Sequence, residues 1–299
     1  MQHGAVKKRR NRVKTSLGSK VFDVINYTLL GVLCMIMVLP FVNIISSSLT
    51  PLEDLVKNPF ILIPTRLSLE AYSYIFSTNT VMHGLLVSVG ITLAGTTLNI
   101  LITALTAYPL AHRDLVGRKA LVSLVIFCMV FNGGMIPTFI IVKTLGLLNT
   151  YWSLILPTAI SSFNLMLFKN YFQELPQELE EAAKLAGYND MSILFRIILP
   201  ISKPLIATFV VMFGVEHWNS WFNAILYLNN SNMWPIQVIL RQIITGASQV
   251  GDAMGGANTV PAATVRNCTI VIATVPILAI YPFLQKYFTK GLLVGSVKG

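Results

Sequence analysis

Residues 181–200 contain the most regularly spaced candidate functional residues in the chain. They read EAAKLAGYNDMSILFRIILP, with three residues between the Glu-Ala-Ala triplet and a glycine, and nine more before Ile-x-Leu-Pro. Alanines let two helices approach closely, and a carboxylate can pair with a basic group of another protein. This composition indicates a docking surface. The spaced positions are Glu181, Ala182, Ala183, Gly187, Ile197, Leu199 and Pro200.

A second group of polar and aromatic residues interrupts an apolar stretch near residue 220. A charge inside a membrane is costly and usually faces a cavity or a partner, so Glu216 is the first candidate for substrate contact. Aromatic faces and amide or carboxylate groups together suit sugar rings, which have apolar CH faces and hydroxyls. The alternative is that such residues only tie helices together. The candidates are Glu216, His217, Trp218, Asn219, Trp221, Asn223, Asn99 and Asn132, followed by Thr103, Tyr108, Asn164 and Asn267.

Motifs for catalysis, nucleotides or metals are absent from the sequence. There is no G-x-x-x-x-G-K-[ST] to hold phosphates, no H-E-x-x-H and no G-x-S-x-G. The three cysteines, Cys34, Cys128 and Cys268, have no metal-ligand spacing. We therefore predict that the chain is not an enzyme and has no catalytic site, metal site or bound cofactor.

The elements that must position these residues are transmembrane helices. The 299 residues are 54% hydrophobic and only 11% charged, whereas soluble domains carry about 25% charge. Apolar windows of about 20 residues, enough to cross a bilayer, recur along the chain. We predict an all-α polytopic membrane protein with six spans at roughly 21–49, 82–111, 120–143, 151–172, 203–228 and 266–288.

The distribution of basic residues predicts the orientation. With both termini in the cytoplasm, 17 of the 22 lysines and arginines fall on the cytoplasmic side, where positive loops are retained. The net charge of +10 therefore reflects topology. The basic residues do not form a stripe of the kind that would indicate nucleic-acid binding. We predict a basic cytoplasmic tail at 1–20, followed by one six-helix domain at 21–299.

The inner loop at about 173–202 is predicted to form two helices under the membrane. Pro176 suits a first helical turn, the following glutamates complement the helix dipole, and Gly187 can end the helix in a left-handed conformation. Asn189 or Asp190 can cap a second helix, which should end before Pro200. Small residues at helical spacing predict one continuous face for a protein partner, formed by Leu179, Ala182, Ala183 and Ala186.

Two outer loops complete the pattern. The loop at about 50–80 shows a short helical pattern that begins at Ser68, and the loop at about 229–265 includes the glycine-rich segment GASQVGDAMGGANTVP. We expect the glycine-rich loop to be a flexible connection or a docking surface.

The inner loop resembles the EAA motif of permease subunits of binding-protein-dependent ABC importers, and every fixed position of the motif is present. Six spans with this loop between the fourth and fifth are similar to carbohydrate-importer permeases of the maltose-permease type. The C-terminal ending KGLLVGSVKG at 290–299 and the fifth-span segment HWNSWFNAILYL at 217–228 resemble the same branch. The segment 131–157 resembles a subgroup for complex or plant-derived oligosaccharides.

This resemblance implies a type I importer permease fold in the membrane of a prokaryote. Residues 176–200 would form coupling helices on a separate ATPase, with Glu181 meeting a basic group, Ala182 and Ala183 packing closely and Gly187 forming the turn. The C-terminal tail would also reach toward the ATPase. The implied partners are two ATPase subunits that carry ATP and Mg²⁺, an extracellular sugar-binding protein and a second permease, identical or, as is usual in sugar branches, different. The alternative function is an ion-coupled secondary transporter, although few ionisable residues lie in the spans.

Overall fold

The chain is built from helices joined by short irregular segments. The computed structural model describes residues 17–58, 60–77, 79–250 and 262–296, and no strand occurs in these ranges. In chain order the α-helices are α1 (Leu17–Ser48), α2 (Leu52–Lys57), α3 (Glu70–Ser77), α4 (Asn79–Ala111), α5 (Arg118–Val130), α6 (Met135–Thr144), α7 (Trp152–Ile155), α8 (Ser162–Glu174), α9 (Glu178–Leu185), α10 (Asp190–Ile193), α11 (Leu199–Ile201), α12 (Lys203–Trp218), α13 (Trp221–Tyr227), α14 (Ile236–Val250) and α15 (Ala262–Ser296).

The helices belong to two compact units, of which the first ends at Ser68 and the second begins at Leu69. In the first unit, the segment after α2 returns along the end of α1. Asn43 Oδ1 accepts a hydrogen bond from Ile61 N at 3.1 Å, and Ser46 Oγ donates to Leu62 O at 2.6 Å. These bonds satisfy backbone groups that a loop would otherwise leave unpaired.

In the second unit, α4 packs against α8, α12 and α14, and α15 packs against α12 and α14. A core cluster at one end of α4 joins α4 to α8, α12 and the segment that follows α9. Two further clusters join α4 to α14 and the helices around it. Helix α4 is therefore the central helix of this unit.

Helices α1, α4 and the first half of α15 are long and apolar enough to cross a membrane. Two bent pairs also pass the same test of length and composition: α5 with α6, at 116°, and residues 190–201 with α12, at 84°. The described helices therefore supply three spans, or up to five if each bent pair counts as one. The count of six and the orientation stay predictions.

Three of the six predicted spans are not single continuous helices. The span at 120–143 breaks between α5 and α6, where Gly134 has a φ of +85° and donates its N–H to Asn132 Oδ1 at 2.9 Å. The span at 151–172 is divided by a 3₁₀ turn, Leu156–Thr158, that contains a proline. The span at 203–228 breaks at residues 219–220, between α12 and α13. Hydropathy alone does not register such breaks, because apolar residues continue on both sides.

The short helix predicted from Ser68 is confirmed by α3, whereas the outer loop at 229–265 includes an element that was not predicted. Its first half forms α14, and Ile236, Val238 and Ile239 of α14 are buried. The rest of its glycine-rich part, 251–261, lies outside the described residues, as do most of the basic tail 1–20 and residues 297–299 of the C-terminal tail.

Candidate functional site

The first helix of the inner loop, α9, begins with three glutamates in its first turn, where negative charge complements the helix dipole. It ends in a Schellman motif, in which Tyr188 N donates to Ala183 O and Gly187 N donates to Lys184 O, both at 3.0 Å. Gly187 has a φ of +82°, in the left-handed region that favours glycine. The predicted turn at Gly187 is confirmed.

The second helix of the loop is capped by Asn189, whose Oδ1 accepts a hydrogen bond from Ser192 N at 2.8 Å. It continues from α10 through a π turn, Leu194–Ile198, into α11, which contains Pro200. The prediction that this helix ends before Pro200 is therefore wrong. Leu199 N donates to Leu194 O, five residues back, and this wider turn makes room for a proline ring that a regular helix would exclude.

One side of the two helices packs on α4, α8 and α12 of the same unit. Ala183, Ile193, Leu194 and Ile198 are buried, while Ile197 and Leu199 are partly buried against the same core. The apolar partners on α4, α8 and α12 are Ala104, Ala107, Tyr108, Leu110, Leu165, Phe168, Phe172, Phe209 and Phe213. The loop is thus a rigid extension of the helices that it connects, because it shares one core with them.

The other side is exposed and apolar at several positions. Leu185 is 91% exposed, Met191 is 58% exposed, and the nearby Phe195 is also exposed. Glu181, Ala182 and Pro200 are exposed as well. The predicted continuous face of small residues is therefore split, because Ala183 faces the core while Leu179, Ala182 and Ala186 stay accessible.

Sequence reasoning missed His112, which lies just after α4. Its Nδ1 lies 2.9 Å from Tyr108 O and its Nε2 lies 2.6 Å from Glu180 Oε2 on α9. Burial lowers the pKa of His112, but the hydrogen bonds to Glu180 and to the Tyr108 carbonyl outweigh it, and the pKa is raised from its ordinary value of 6.5. No spacing rule links positions 112 and 180, so the sequence carried no signal for this pair.

Several predicted substrate-path residues join helices of the second unit to each other. His217 is buried against Gly95 of α4, where a Cβ would lie 2.5 Å from its Nε2. Trp218 Nε1 donates to Ala273 O of α15 at 3.2 Å, and Asn99 Nδ2 donates to Thr158 O at 3.1 Å. The alternative interpretation, in which these residues only tie helices together, accounts for these contacts. His217 Nε2 and Asn99 Oδ1 have no hydrogen-bond partner among the residues described.

The other candidates are more accessible. Glu216 and Asn219 are exposed and Asn223 is half-buried. Trp221 lies under the guanidinium of Arg241, 3.9 Å from the ring centroid, and Asn132 accepts the Gly134 hydrogen bond described above. These positions are not gathered at one site.

An open cleft of about 300 Å³ lies between α4, α12 and α15. Trp218 is the one predicted substrate-path residue in its lining, which otherwise consists of apolar residues with Thr92, Thr96, Thr97 and Gly214. The lining of this cleft therefore includes one member of the predicted set, and the role of that set in a substrate path stays a prediction.

The chain is similar to a known family and to individual proteins over most of its length. Residues 12–257 match the family described as binding-protein-dependent transport system inner membrane component. The chain is 51% identical over 284 residues to the polygalacturonan/rhamnogalacturonan transport system permease protein YtcP of Bacillus subtilis, covering 94% of this chain and 99% of that protein. It is 30% identical over 269 residues to the arabinooligosaccharides transport system permease protein AraQ of Halalkalibacterium halodurans, covering 88% and 92%.

Among solved structures, the chain resembles one from a bacterial ABC transporter involved in the import of the acidic polysaccharide alginate. The TM-score is 0.84 at 28% sequence identity, and the match covers 92% of this chain and 99% of the other. The resemblance extends over almost the whole of both chains.

Proposed function

Because the chain belongs to the family of binding-protein-dependent transport system inner membrane components, we propose that it forms half of the translocation path of an ATP-driven oligosaccharide importer. The chain is an ABC importer permease subunit, and the family is one of transporters and not of enzymes. Family membership favours this function over the ion-coupled secondary transporter.

The proposed coupling site is the segment 176–200, with Glu181, Ala182, Gly187 and the exposed apolar residues at its contact with the ATPase. The observation that supports this role most strongly is the exposed side of the segment, where Leu185 and Met191 are accessible although they lie on a rigid, well-packed loop. Apolar side chains in such a position indicate a protein partner. The opposite side of the loop meets α4, α8 and α12, so movement of the ATPase would reach the transmembrane helices.

The proposed substrate is an oligosaccharide. Relatives are named for polygalacturonan and rhamnogalacturonan and for arabinooligosaccharides, and the transporter of the solved structure imports an acidic polysaccharide. Acidic oligosaccharides such as oligogalacturonates are therefore the first class to test, and neutral arabino-oligosaccharides are the comparison. Glu216 and the residues of α12 and α13 remain the proposed contacts in the path.

The family implies a partner permease, an ATPase and a binding protein. We propose in detail a second, different but related permease, two ATPase subunits that bind ATP and Mg²⁺, and an extracellular sugar-binding protein. The complex would lie in the cytoplasmic membrane of a prokaryote, with both termini of this chain in the cytoplasm.

The test is ATP-dependent uptake of labelled oligosaccharides into vesicles that contain the co-expressed complex. Glu181→Lys and Gly187→Asp should abolish uptake while the chain still inserts in the membrane, because both changes alter the proposed ATPase contact. Glu53→Lys, a matched charge reversal on α2, should keep the ATPase bound. Uptake without any ATPase would contradict the proposal and favour a secondary transporter.

A further inference from the structure

The C-terminal end of α4 is held by side chains from three neighbouring segments. The last carbonyls of a helix have no partner within the helix itself. Here Leu110 O accepts a hydrogen bond from Arg118 Nε of α5 at 2.9 Å, and Ala111 O accepts one from Gln173 Nε2 of α8 at 3.0 Å. His112 bonds the third carbonyl, Tyr108 O. The position of this helix end is therefore closely defined.

His112 extends this network to α9 through Glu180. Both ring nitrogens of His112 face oxygens that accept hydrogen bonds, a carbonyl on one side and a carboxylate on the other. Only the doubly protonated ring donates to both, so the geometry fits a histidine cation paired with a carboxylate. A cation also suits the C-terminal end of a helix. The side chains are 27% and 20% exposed, so water screens the pair only partly.

The chain itself connects α9 to a different transmembrane helix. From α9 it runs through Gly187, α10 and α11 directly into α12. Movement of α9 can therefore reach α12 along the backbone, whereas α4 lies 67 residues or more away from α9 in sequence and must be reached through side chains. Ala183 of α9 and Tyr108 of α4 also belong to one buried core.

We propose that His112 and Glu180 form a clasp that transmits movement of α9 into α4, the central helix of the second unit. The clasp is a second coupling route beside the covalent route into α12. This inference rests on the proposed function of the segment 176–200. His112 and Glu180 act as positioning residues, since they bond to each other and to the Tyr108 carbonyl. A complex without the clasp should hydrolyse ATP but move α4 less effectively.

The charge of His112 makes the clasp sensitive to pH. The pKa of the histidine is raised, so the ion pair is present below the ordinary histidine range and is lost as the pH rises through the raised pKa. Coupling through the clasp should decline over the same interval. The groups that act on the imidazole are Glu180 and Lys184 on α9 and the carbonyl of Tyr108 on α4. Arg118 on α5 bonds the nearby Leu110 carbonyl, and Asp190 at the start of α10 acts on Tyr108.

The experiment measures oligosaccharide uptake per ATP hydrolysed in proteoliposomes of the whole importer with its binding protein. We expect His112→Ala and Glu180→Ala each to lower this ratio about tenfold, the scale of one lost charge-assisted hydrogen bond. The double variant should be no worse than either single variant, because both remove the same link. His112→Arg should keep the ratio at alkaline pH, where the wild type loses it.

Two variants serve as controls. His83→Ala removes a histidine that bonds Asn232 O, away from α9, and should leave the ratio unchanged. Leu185→Asp alters the exposed side of the coupling segment and should abolish uptake. If Leu185→Asp abolishes uptake while the clasp variants keep the wild-type ratio and pH profile, the clasp is overturned and the coupling site stands. If Leu185→Asp leaves uptake intact, the proposed coupling site itself fails.

Discussion

At the scale of single residues, glycines set the geometry of the site. Gly187 adopts a φ of +82°, and its N–H closes the first bond of the turn between the two inner-loop helices. A Cβ in this conformation costs roughly 1–2 kcal/mol. We predict that Gly187→Ala lowers the thermal stability of the purified complex by about this free energy. Gly90→Ala, at an exposed helical position with open space around it, is the control and should not lower stability.

Gly95 is required for a different reason, which is the close approach of His217. A Cβ at position 95 would overlap the imidazole, so we predict that Gly95→Ala destabilises the protein by about 1–3 kcal/mol. Adding His217→Ala should restore part of that loss by removing the obstructing ring. Thermal unfolding of the two single variants and the double variant measures the coupling. Strictly additive effects would show that the two residues do not meet.

Sequence spacing identified the local features of the site and missed the contacts between distant positions. Gly187 and Asn189 were predictable because each acts on a nearby helix end: Gly187 ends α9 and Asn189 caps α10. His112 was not, because its partner Glu180 is brought close only by the packing of α9 beneath α4. For the same reason, the contact between His217 and Gly95 depends on the approach of α12 to α4.

At the scale of elements, α9 has two faces with different roles. Ala183 is buried in the core, and Ala182 beside it is exposed. We predict that Ala183→Leu overpacks the core and costs about 1–3 kcal/mol of stability. Ala182→Leu should leave stability unchanged and weaken retention of the ATPase. Thermal unfolding and co-purification of the ATPase separate the two effects, and the reverse pattern would show that α9 is turned the other way.

Hydropathy alone could not predict the interruptions in the helices. The break before α6 depends on the left-handed Gly134, and the continuation of the inner loop through Pro200 depends on a π turn. Helix α14 was missed because its apolar residues cover only one face and do not form a continuous run. The long uninterrupted helices α1, α4 and α15, by contrast, lie close to their predicted positions.

At the scale of the whole molecule, the orientation rests on the distribution of charge and can be tested directly. In a variant without Cys34, Cys128 and Cys268, a new cysteine at exposed Leu185 should react with a membrane-impermeant maleimide only from the cytoplasmic side. A cysteine at exposed Asn230 should react only from the outer side. Labelling of intact cells and of inverted vesicles measures this, with the chain expressed without the ATPase so that position 185 is not covered. The opposite pattern would reverse the topology and remove the inner loop from the ATPase.

The proposed coupling segment 176–200 lies within this chain, whereas the proposed substrate path also needs a second permease. Of the predicted substrate residues, Trp218 lines the cleft between α4, α12 and α15, and the family implies a partner permease that would complete the path. The proposed coupling site is a local motif that can be identified from sequence, whereas the proposed sugar site would depend on the assembled complex.

The segment 176–200 is proposed to couple ATP hydrolysis to transport. The most direct measurement is uptake of labelled oligogalacturonate in proteoliposomes that contain the complete importer, with wild type compared with Leu185→Asp. Leu185 is 91% exposed, so its replacement should leave folding intact. We predict that the variant inserts and purifies normally but loses the ATPase and all ATP-dependent uptake. Wild-type uptake by Leu185→Asp would contradict the proposed coupling role of the segment 176–200.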